Sequence, residues 1–362
     1  MNKIIINYIV KGFIRNFLVV VAIIYCFSLI LNLLEEIEFF KNLNVSILTP
    51  IILTSIYVPS LIIKILPFII FISCLWFMLS IKDNKDLLTI KVFGFSNIKI
   101  FLILAICAFT IGWIVLFAIN PLTSKMSKYY VQLKANYSRD IDHLISFKRD
   151  GLWIKEKVDG KQRYISSKKL ENNFLKDLRI FHLDNDTNFV EKIVAKQANI
   201  NSNEWVLTDV KIFKSNQGVS EKISLDNYKI SSNYNLNKIN KLFKNFDTIS
   251  FIDLVFNYNQ MTKLGYSKNF LIQSLHTLLI LPFFLLLMTG IASTLALGNL
   301  KKRNNLQMTF IGLILVIIVF YLKDFSLALG QIEKVPLILS IWAPIIILSL
   351  ITLIGVIQIN EK

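Results

Sequence analysis

Apolar residues are concentrated in two blocks, one at each end of this 362-residue chain. The first block covers residues 17–119 and the second covers residues 270–357. Each contains runs close to the roughly 20 apolar residues that a membrane-spanning helix needs. The segment between them, residues 121–268, contains no apolar run of that length. The pattern therefore predicts a polar domain that is held at both ends by membrane helices.

The two apolar blocks divide into six predicted spans. These are residues 17–34, 59–80, 100–119, 270–297, 306–322 and 337–357. The first span is longer than the apolar part of a signal peptide and no small-residue cleavage site follows it, so we predict a retained helix. Residues 47–58 are also apolar, and we expect them to lead into the second span as an interfacial or extended helical turn.

Basic residues in the short loops predict the orientation. The richer side carries Lys3, Lys11, Arg15, Lys82, Lys85, Lys91, Lys99, Lys301, Lys302 and Arg303. The short loops of the other side carry Lys41 beside three glutamates, then Lys323 and Lys334. The positive-inside rule places both termini in the cytoplasm and residues 121–268 outside, since a long domain is translocated regardless of its own charge.

The central segment alternates apolar and polar residues in short stretches. Examples are residues 151–155, 163–166, 178–183 and 204–213. Clusters of Asn, Asp, Gly and Ser separate them, as at Asp159-Gly160, and this combination is typical of an all-β sandwich or open barrel. Helical patterns flank the strands at residues 122–136 and 248–264, and Ser250 is a candidate N-cap for the second.

Composition supports a membrane protein and argues against several other classes. Charged residues make up 18% of the chain, below the roughly 25% of soluble domains, and the mean hydropathy is +0.56. The formal net charge of +16 is divided between the short loops and the central domain, so we predict no nucleic-acid partner. The three cysteines all lie in apolar runs, so no disulfide is expected in the central domain. The three histidines share no ligand spacing, so we predict no metal site.

The loop between the second and third spans contains a short amphipathic pattern. We predict a helix at residues 84–94, capped by Asp83 or Asn84 and ended by Gly94 in a left-handed conformation. Its apolar positions are Leu87, Leu88, Ile90 and Phe93. Such a helix either fits a groove on another protein or rests on the bilayer surface, and the pattern alone favours neither.

The order of these features resembles the LptF/LptG (YjgP/YjgQ) family of lipopolysaccharide-export ABC transporter permeases. The resemblance covers essentially the whole chain. It rests on Pro59 and Pro67 of span two, residues 86–96, Asn120-Pro121, Gly151-Leu152-Trp153, residues 246–254 and residues 320–324. The Gly-Leu-Trp sequence favours the LptG type over the LptF type.

The resemblance implies a division of the chain. Residues 1–120 would hold transmembrane helices 1–3 with the ATPase-coupling helix, and residues 269–362 would hold transmembrane helices 4–6. Residues 121–268 would form a periplasmic all-β jellyroll-like domain with flanking helices. The expected fold class is thus an α-helical polytopic protein of the bacterial inner membrane, with three spans on each side of an inserted β domain.

The resemblance also implies partners. The chain would form a heterodimer with a second permease of the family, and a dimer of the cytoplasmic ATPase LptB would consume the ATP and Mg²⁺. The heterodimer would extract lipopolysaccharide from the inner membrane. With LptC, it would pass the lipid to the periplasmic jellyroll bridge protein LptA on the way to the outer membrane.

Within the predicted coupling helix, the resemblance assigns roles to single residues. Asp86 takes the place of the family's usual Glu, which faces a basic residue of the ATPase. Alternatively, Asp86 only helps to start the helix through the helix dipole. The apolar contacts to the ATPase would be Leu87, Leu88, Ile90 and Phe93. Gly94 would let the chain turn tightly into span three.

Several charged residues are candidates for contacts to the lipid. Candidates for binding the lipid A phosphates are Lys41, Lys125, Lys128 and Lys134, with an ordinary solvated lysine as the alternative for each. Lys64, inside span two, is either a functional charge or a lysine that snorkels to the interface. The outer end of span one carries Glu35, Glu36 and Glu38 and no lysine. These glutamates are a hypothetical site for the divalent cations that accompany lipopolysaccharide.

Asp324 and Lys323 lie at the outer end of span five. The resemblance implies a lateral gate between spans one and five, and these two residues would lie beside it. We expect them to pair with each other or with the partner subunit.

Two other function classes compete with lipid export. One is a mechanotransmitting ABC permease that relays ATPase motion to a periplasmic domain without moving lipid. Such proteins usually have four spans with the domain after the first, whereas three predicted spans precede the domain here. The other is a membrane-bound enzyme, but the sequence has no nucleotide-binding, zinc-hydrolase or serine-nucleophile motif. We therefore predict a transporter subunit that binds no cofactor itself.

Overall fold

The chain folds into two compact units in a computed structural model. The structure describes residues 2–41, 45–137, 144–148, 151–158, 161–171, 174–183, 189–216, 219–234, 248–263, 268–298 and 305–360. The first unit consists of Met1–Ser127 and Ile272–Lys362, and the second consists of Lys128–Leu271. Each unit has a hydrophobic core of its own.

Long apolar helices form the first unit, and shorter helices flank the strands of the second. In chain order the described helices are α1 (Asn2–Phe40), α2 (Leu48–Asp83), α3 (Asp86–Val92), α4 (Asn97–Ile114), a π-helical turn (Val115–Ile119), α5 (Asn120–Tyr137), α6 (Phe251–Phe256), α7 (Tyr258–Lys263), α8 (Lys268–Leu279), α9 (Leu281–Leu297), α10 (Asn305–Gln331) and α11 (Leu337–Asn360).

Five helical segments in the described residues are long and apolar enough to cross a membrane. They are Lys3–Phe40, Leu48–Asp83, Asn97–Lys134, Asn305–Gln331 and Leu337–Ile359. A sixth span results if α8 and α9, which meet at a bend of 41°, are taken together. Pro282 near the start of α9 explains the bend, because its ring and its missing N–H prevent α8 from continuing as a straight helix.

The first two helices are longer than a bilayer is thick. At about 1.5 Å per residue, the 39 residues of α1 extend about 58 Å and the 36 residues of α2 about 54 Å. The hydrocarbon core of a membrane is only roughly 30 Å thick. Residues 47–58, predicted as a lead-in to span two, form the beginning of α2 without a break from Leu48 onward.

Packing within the first unit is uneven. Each candidate span contains an apolar window, a stretch of 18 residues of high mean hydropathy. In the apolar window of α2 56% of the residues are buried, against 11% in α1 and 17% in α10. Helix α9 packs against both α2 and α4. Gly112 allows α4 to approach α9 closely, since a Cβ there would lie 2.6 Å from Cα of Pro282. Helices α2, α4 and α9 therefore form the centre, whereas α1 and α10 leave apolar side chains exposed.

An antiparallel sheet dominates the second unit. Its strands are β1 (Leu144–Lys148), β2 (Gly151–Val158), β3 (Lys161–Ser167), β4 (Lys169–Glu171), β5 (Phe174–Leu183), β6 (Phe189–Asn199), β7 (Glu204–Asn216) and β8 (Val219–Ser231). They pair in the order β1-β2-β3-β5-β6-β7-β8, and the short β4 pairs with β5. This sequential order does not show the two Greek keys of a jellyroll, so the predicted jellyroll topology is not confirmed.

The sheet rolls up so that distant strands meet. Arg163 Nη1 in β3 donates to the Ser231 carbonyl at the end of β8 at 2.6 Å. In a flat sheet the two strands would be separated by four strand spacings, roughly 19 Å. The two ends of the sheet therefore curve toward each other.

Apolar side chains fill the inside of the rolled sheet. Alternate residues such as Leu178 and Ile180 in β5 are fully buried in one hydrophobic cluster. Trp205 is fully buried as well, and its Nε1 donates to the Tyr234 carbonyl at 2.7 Å. The predicted fold class, a helical polytopic membrane protein with an inserted β domain, is confirmed.

The two flanking helical patterns have different outcomes. The pattern at residues 122–136 lies within α5, as predicted. The pattern at residues 248–264 forms two short helices, α6 and α7, which are separated at Asn257. Ser250 is the N-cap of α6, as predicted, and its hydroxyl accepts from Asp253 N at 3.1 Å.

Candidate functional site

The short helix α3 connects α2 to α4. It has seven residues and is shorter than the predicted helix at residues 84–94. Lys85 precedes it in a left-handed conformation, with φ 62°, and provides no side-chain cap. The prediction that Asp83 or Asn84 caps the helix is therefore wrong. The physical reason is that the Asp83 carboxylate is bound elsewhere, to the side-chain amide of Asn305.

The C-terminal end of α3 follows the prediction. Gly94 has a left-handed conformation with φ 80°. Gly94 N donates to the Lys91 carbonyl at 2.9 Å, and Phe95 N donates to the Ile90 carbonyl at 3.3 Å. This pair of bonds is a Schellman motif, and the usual apolar contact accompanies it because Phe95 and Ile90 are buried in the same core. The turn therefore fixes the end of α3 on the first unit.

Helix α3 has one buried and one exposed face. Ile90 is only 4% exposed, and Leu87 packs against the same core. Leu88, Val92 and Phe93 are 63%, 84% and 44% exposed. The buried Ile90 side chain thus anchors α3 to the first unit and is not accessible to another molecule. The apolar surface available to a partner consists of Leu88, Val92 and Phe93, of which Val92 was not predicted.

Two side-chain hydrogen bonds join the region of α3 to α1 and α9. The Tyr8 hydroxyl in α1 donates to Asp86 Oδ2 at 2.7 Å. Lys82 Nζ, just before α3, donates at 3.2 Å to the Ala296 carbonyl in the last turn of α9. A lysine at that position also interacts favourably with the negative end of the helix dipole.

Two further hydrogen bonds reach α10 and α11. The amide nitrogen of Asn305, the first residue of α10, donates to Asp83 Oδ2. Asn97 Nδ2 donates to the Ile359 carbonyl in the last turn of α11 at 2.8 Å. Residues 82–97 are thus connected to four helices by hydrogen bonds, and to α2 and α4 through the chain itself. A displacement of α3 has a direct physical route to all of them.

An apolar groove lies between α2 and α10. Its walls include Phe71, Leu75, Trp76, Leu79, Leu306 and Leu313. Asp83 and Asn305, which hydrogen-bond to each other, line it as well. The groove combines walls suited to hydrocarbon with a direct connection to the region of α3.

The candidate lysines differ in their immediate surroundings. Lys41, Lys125 and Lys128 are exposed. Lys134 Nζ instead donates to the Tyr130 hydroxyl at 3.0 Å and lies 5.4 Å from the centroid of that ring. Lys64 is exposed on α2 within an apolar helix, so both of its predicted roles stay open.

Asp324 pairs with its neighbour. Lys323 Nζ lies 3.6 Å from Asp324 Oδ1, so the expected pairing within the chain is present. The Lys323 ammonium also lies 5.1 Å and 5.6 Å from the ring centroids of Phe320 and Phe284. The cation is thus drawn toward aromatic rings of α9 and α10, while the Asp324 carboxylate stays exposed.

The three glutamates after span one do not form one cation site. Glu36 is fully buried, whereas Glu35 and Glu38 are exposed. Successive helical residues are about 100° apart, so Glu36 points away from the face that carries the other two. No cluster of three metal-ligating residues occurs in the described part of the chain.

Sequence reasoning missed the residues that hold α3 in place. Tyr8, Asn97 and Asn305 bond to groups 78, 262 and 222 positions away in the chain. Hydropathy and helix periodicity report only on neighbouring positions and carry no signal for such pairs. Only the polar character of these residues at the ends of apolar helices marks them.

Comparison with known proteins gives two results. No curated protein matches the chain. The family model described as lipopolysaccharide export system permease LptF/LptG matches residues 7–358. The match includes α3, the β domain and nearly all of the membrane helices, and it covers the LptF and LptG types together. The resemblance found in the sequence is confirmed, and the chain belongs to the LptF/LptG family of lipopolysaccharide export permeases.

Proposed function

We propose that this chain is one of two permeases in a transporter that extracts lipopolysaccharide from the bacterial inner membrane. A separate cytoplasmic ATPase, a dimer of LptB, would supply the energy and use the ATP and Mg²⁺. The observation that carries the proposal is the construction of α3. It exposes apolar side chains to a partner, and the segment around it, residues 82–97, is joined by hydrogen bonds to four helices of the first unit.

The exposed face of α3 suits a protein groove. Leu88, Val92 and Phe93 present an apolar surface, and Lys85 and Lys91 beside them are exposed cations. Helices that dock into grooves use such closely spaced apolar anchors. In the proposed complex, the ATPase would bind this face, and Ile90 would pass its motion into the core of the first unit.

The weakly packed helices suit a second permease and a lipid. The windows of α1 and α10 are 11% and 17% buried, so most of their apolar surface has no cover within the chain. In the proposed transporter these faces would contact the other permease of the family and the acyl chains of lipopolysaccharide. We further propose, from Gly151-Leu152-Trp153, that this chain is the LptG type.

The β domain would stand in the periplasm. The basic residues near α3, such as Lys82, Lys85 and Lys91, support a cytoplasmic location for that side and for both termini by the positive-inside rule. The inserted β domain then lies on the opposite side of the membrane. There it would work with LptC and pass the lipid to the bridge protein LptA.

Co-purification tests the role of α3. The chain would be isolated from its native membrane as the wild type and as the double variant Leu88→Ala/Phe93→Ala. We expect the wild type to retain a cytoplasmic ATPase. Since buried apolar anchors of an interface are often worth more than about 1 kcal/mol each, the variant should retain at least about tenfold less.

The control is Ile4→Ala, which removes an exposed apolar side chain from the start of α1. This control should retain the ATPase as the wild type does. If the double variant binds as much ATPase as the control, α3 is not the docking helix.

A further inference from the structure

Two carboxylates on either side of Lys85 connect the junction of α2 and α3 to two different helices. Asp86 Oδ2 accepts a hydrogen bond from the Tyr8 hydroxyl of α1 at 2.7 Å. Asp83 Oδ2 accepts from the amide of Asn305, the first residue of α10. Both links are made by side chains at the same end of the first unit.

The two connected helices are the least packed of the candidate spans. The apolar windows of the other three are 22%, 39% and 56% buried, against 11% for α1 and 17% for α10. Ile9 and Phe13 near the start of α1 are buried in the core of the first unit, whereas most of the apolar window of each helix is uncovered. The hydrogen bonds at Tyr8 and Asn305 connect one end of each helix to the residues on either side of Lys85.

The backbone between the two carboxylates directs them to different partners. Lys85 adopts φ 62° and ψ 7°, a left-handed conformation that non-glycine residues rarely take. The chain changes direction there, at the junction of α2 and α3. Asp83, the last residue of α2, meets α10, whereas Asp86, the first residue of α3, meets α1.

We propose that Tyr8 and Asn305 are positioning residues that make α1 and α10 move together with α3. The inference rests on the proposed function, in which an ATPase displaces α3. When the junction of α2 and α3 shifts, Asp86 would draw the near end of α1 with it and Asp83 would draw the near end of α10. The two exposed apolar faces then change position in one concerted step.

The apolar groove gives this movement a consequence. Asp83 and Asn305 line one end of the groove between α2 and α10, so a movement of the junction of α2 and α3 acts directly on that end. Gly312 of α10 meets Phe71 of α2 closely, since a Cβ there would lie 2.9 Å from the end of that ring. The groove can thus open or close around this contact as the ends of the helices move.

Variants that remove one hydrogen-bonding group each test the proposal. Tyr8→Phe deletes only the hydroxyl, and Asn305→Leu deletes the amide at similar volume. The matched control is Tyr25→Phe on the same helix, about 25 Å along α1 from Tyr8. The rescue variant is Asn305→Gln, which keeps an amide donor.

The measurement uses the complete transporter, with the partner permease and the ATPase, in lipid vesicles that contain lipopolysaccharide. ATP hydrolysis and lipopolysaccharide release are recorded in the same sample. We expect the amount of lipopolysaccharide released per ATP hydrolysed to fall at least about threefold in Tyr8→Phe and in Asn305→Leu. Each variant loses one hydrogen bond that would couple the helices as they move. Tyr25→Phe and Asn305→Gln should stay close to the wild type.

Two results would overturn the proposal. One is an unchanged ratio of release to hydrolysis in both variants. The other is a parallel loss of assembly, hydrolysis and release, which would mean that the bonds only support the fold. If instead the wild type hydrolyses ATP and releases no lipopolysaccharide, the proposed function itself fails.

Discussion

Glu156 of β2 is fully buried and forms an ion pair with Arg163 of β3, with 3.0 Å between Oε1 and Nη1. The other carboxylate oxygen of Glu156 accepts from Ser232 Oγ at 2.8 Å and from Asn233 N at 3.1 Å. Arg163 also donates to the Ser231 carbonyl. The pair thus joins the beginning of the sheet to the end of β8 and keeps the sheet rolled.

Removing this carboxylate should open the roll. Glu156→Ala leaves the buried Arg163 without its counter-ion, which typically costs about 3–5 kcal/mol. Amide hydrogen exchange of the full-length protein would measure the effect. The strands β2 and β8 should exchange at least about 100-fold faster, since each 1.4 kcal/mol is a factor of ten.

The control for the roll is Lys196→Ala. Lys196 pairs with Asp209 at 3.8 Å on the exposed face of the sheet, where such a pair is worth at most about 1 kcal/mol. If amide hydrogen exchange became faster by the same factor in Glu156→Ala and in Lys196→Ala, Glu156 would not be the residue that keeps the sheet rolled.

The two faces of α3 should differ in their effect on stability. Ile90→Ala removes a buried side chain from the core of the first unit and should cost about 2–4 kcal/mol. Val92→Ala changes an exposed position and should cost no more than about 0.5 kcal/mol. Thermal unfolding of the purified full-length protein would compare them. Similar melting temperatures for both variants would show that Ile90 does not anchor the helix.

The turn after α3 should tolerate asparagine better than alanine. Gly94 has φ 80°, and a Cβ added there would meet nothing within 4 Å, so the penalty comes from the backbone alone. Gly94→Ala should therefore cost about 1–2 kcal/mol, and Gly94→Asn should cost less, because asparagine accepts the left-handed conformation. Hydrogen exchange in α3 of the full-length protein reads out the difference. Faster exchange with asparagine than with alanine would be the contrary result.

The contact between α4 and α9 should not accept even one methyl group. In Gly112→Ala the new Cβ would lie 2.6 Å from the Cα of Pro282, and backbone atoms cannot move aside as side chains do. Overpacking of this kind typically costs about 1–3 kcal/mol. Ile106→Ala, at an exposed position on the same helix, is the control. A melting temperature of Gly112→Ala at or above that of the control would refute the close packing of these helices.

Hydropathy predicted the membrane helices but not their ends. An apolar run is a local property, so each of the six predicted runs lies within a described helix or within the bent pair α8 and α9. The extension of α1 back to Asn2 was missed because those residues are mixed in character. They are helical because they continue a helix that packs on α2.

Part of the ion pair in the sheet could have been read from the sequence. The turn predicted at Asp159-Gly160 sets Val158 opposite Lys161, and counting outward places Glu156 opposite Arg163. The hydrogen bond from Arg163 to the Ser231 carbonyl could not be predicted by counting from a turn. It depends on how seven paired strands curve, and 68 positions separate Arg163 from that carbonyl.

In the region of α3, too, local features could be predicted from the sequence and long-range contacts could not. The existence of α3 and its glycine terminus follow from residues within one short segment, and both were predicted. The error at its start arose because Asp83 bonds to Asn305, 222 positions away, instead of capping the helix. The inward direction of Ile90 likewise depends on the core that α3 packs against.

We propose that ATP hydrolysis at a partner of α3 drives lipopolysaccharide out of the membrane. The most direct measurement is lipopolysaccharide release from vesicles that contain this chain, the second permease and the ATPase, with LptC present and LptA as the acceptor. We expect lipopolysaccharide release that requires ATP and that is lost in Leu88→Ala/Phe93→Ala. Hydrolysis that continues through an intact complex while no lipopolysaccharide leaves the vesicles would contradict the proposal.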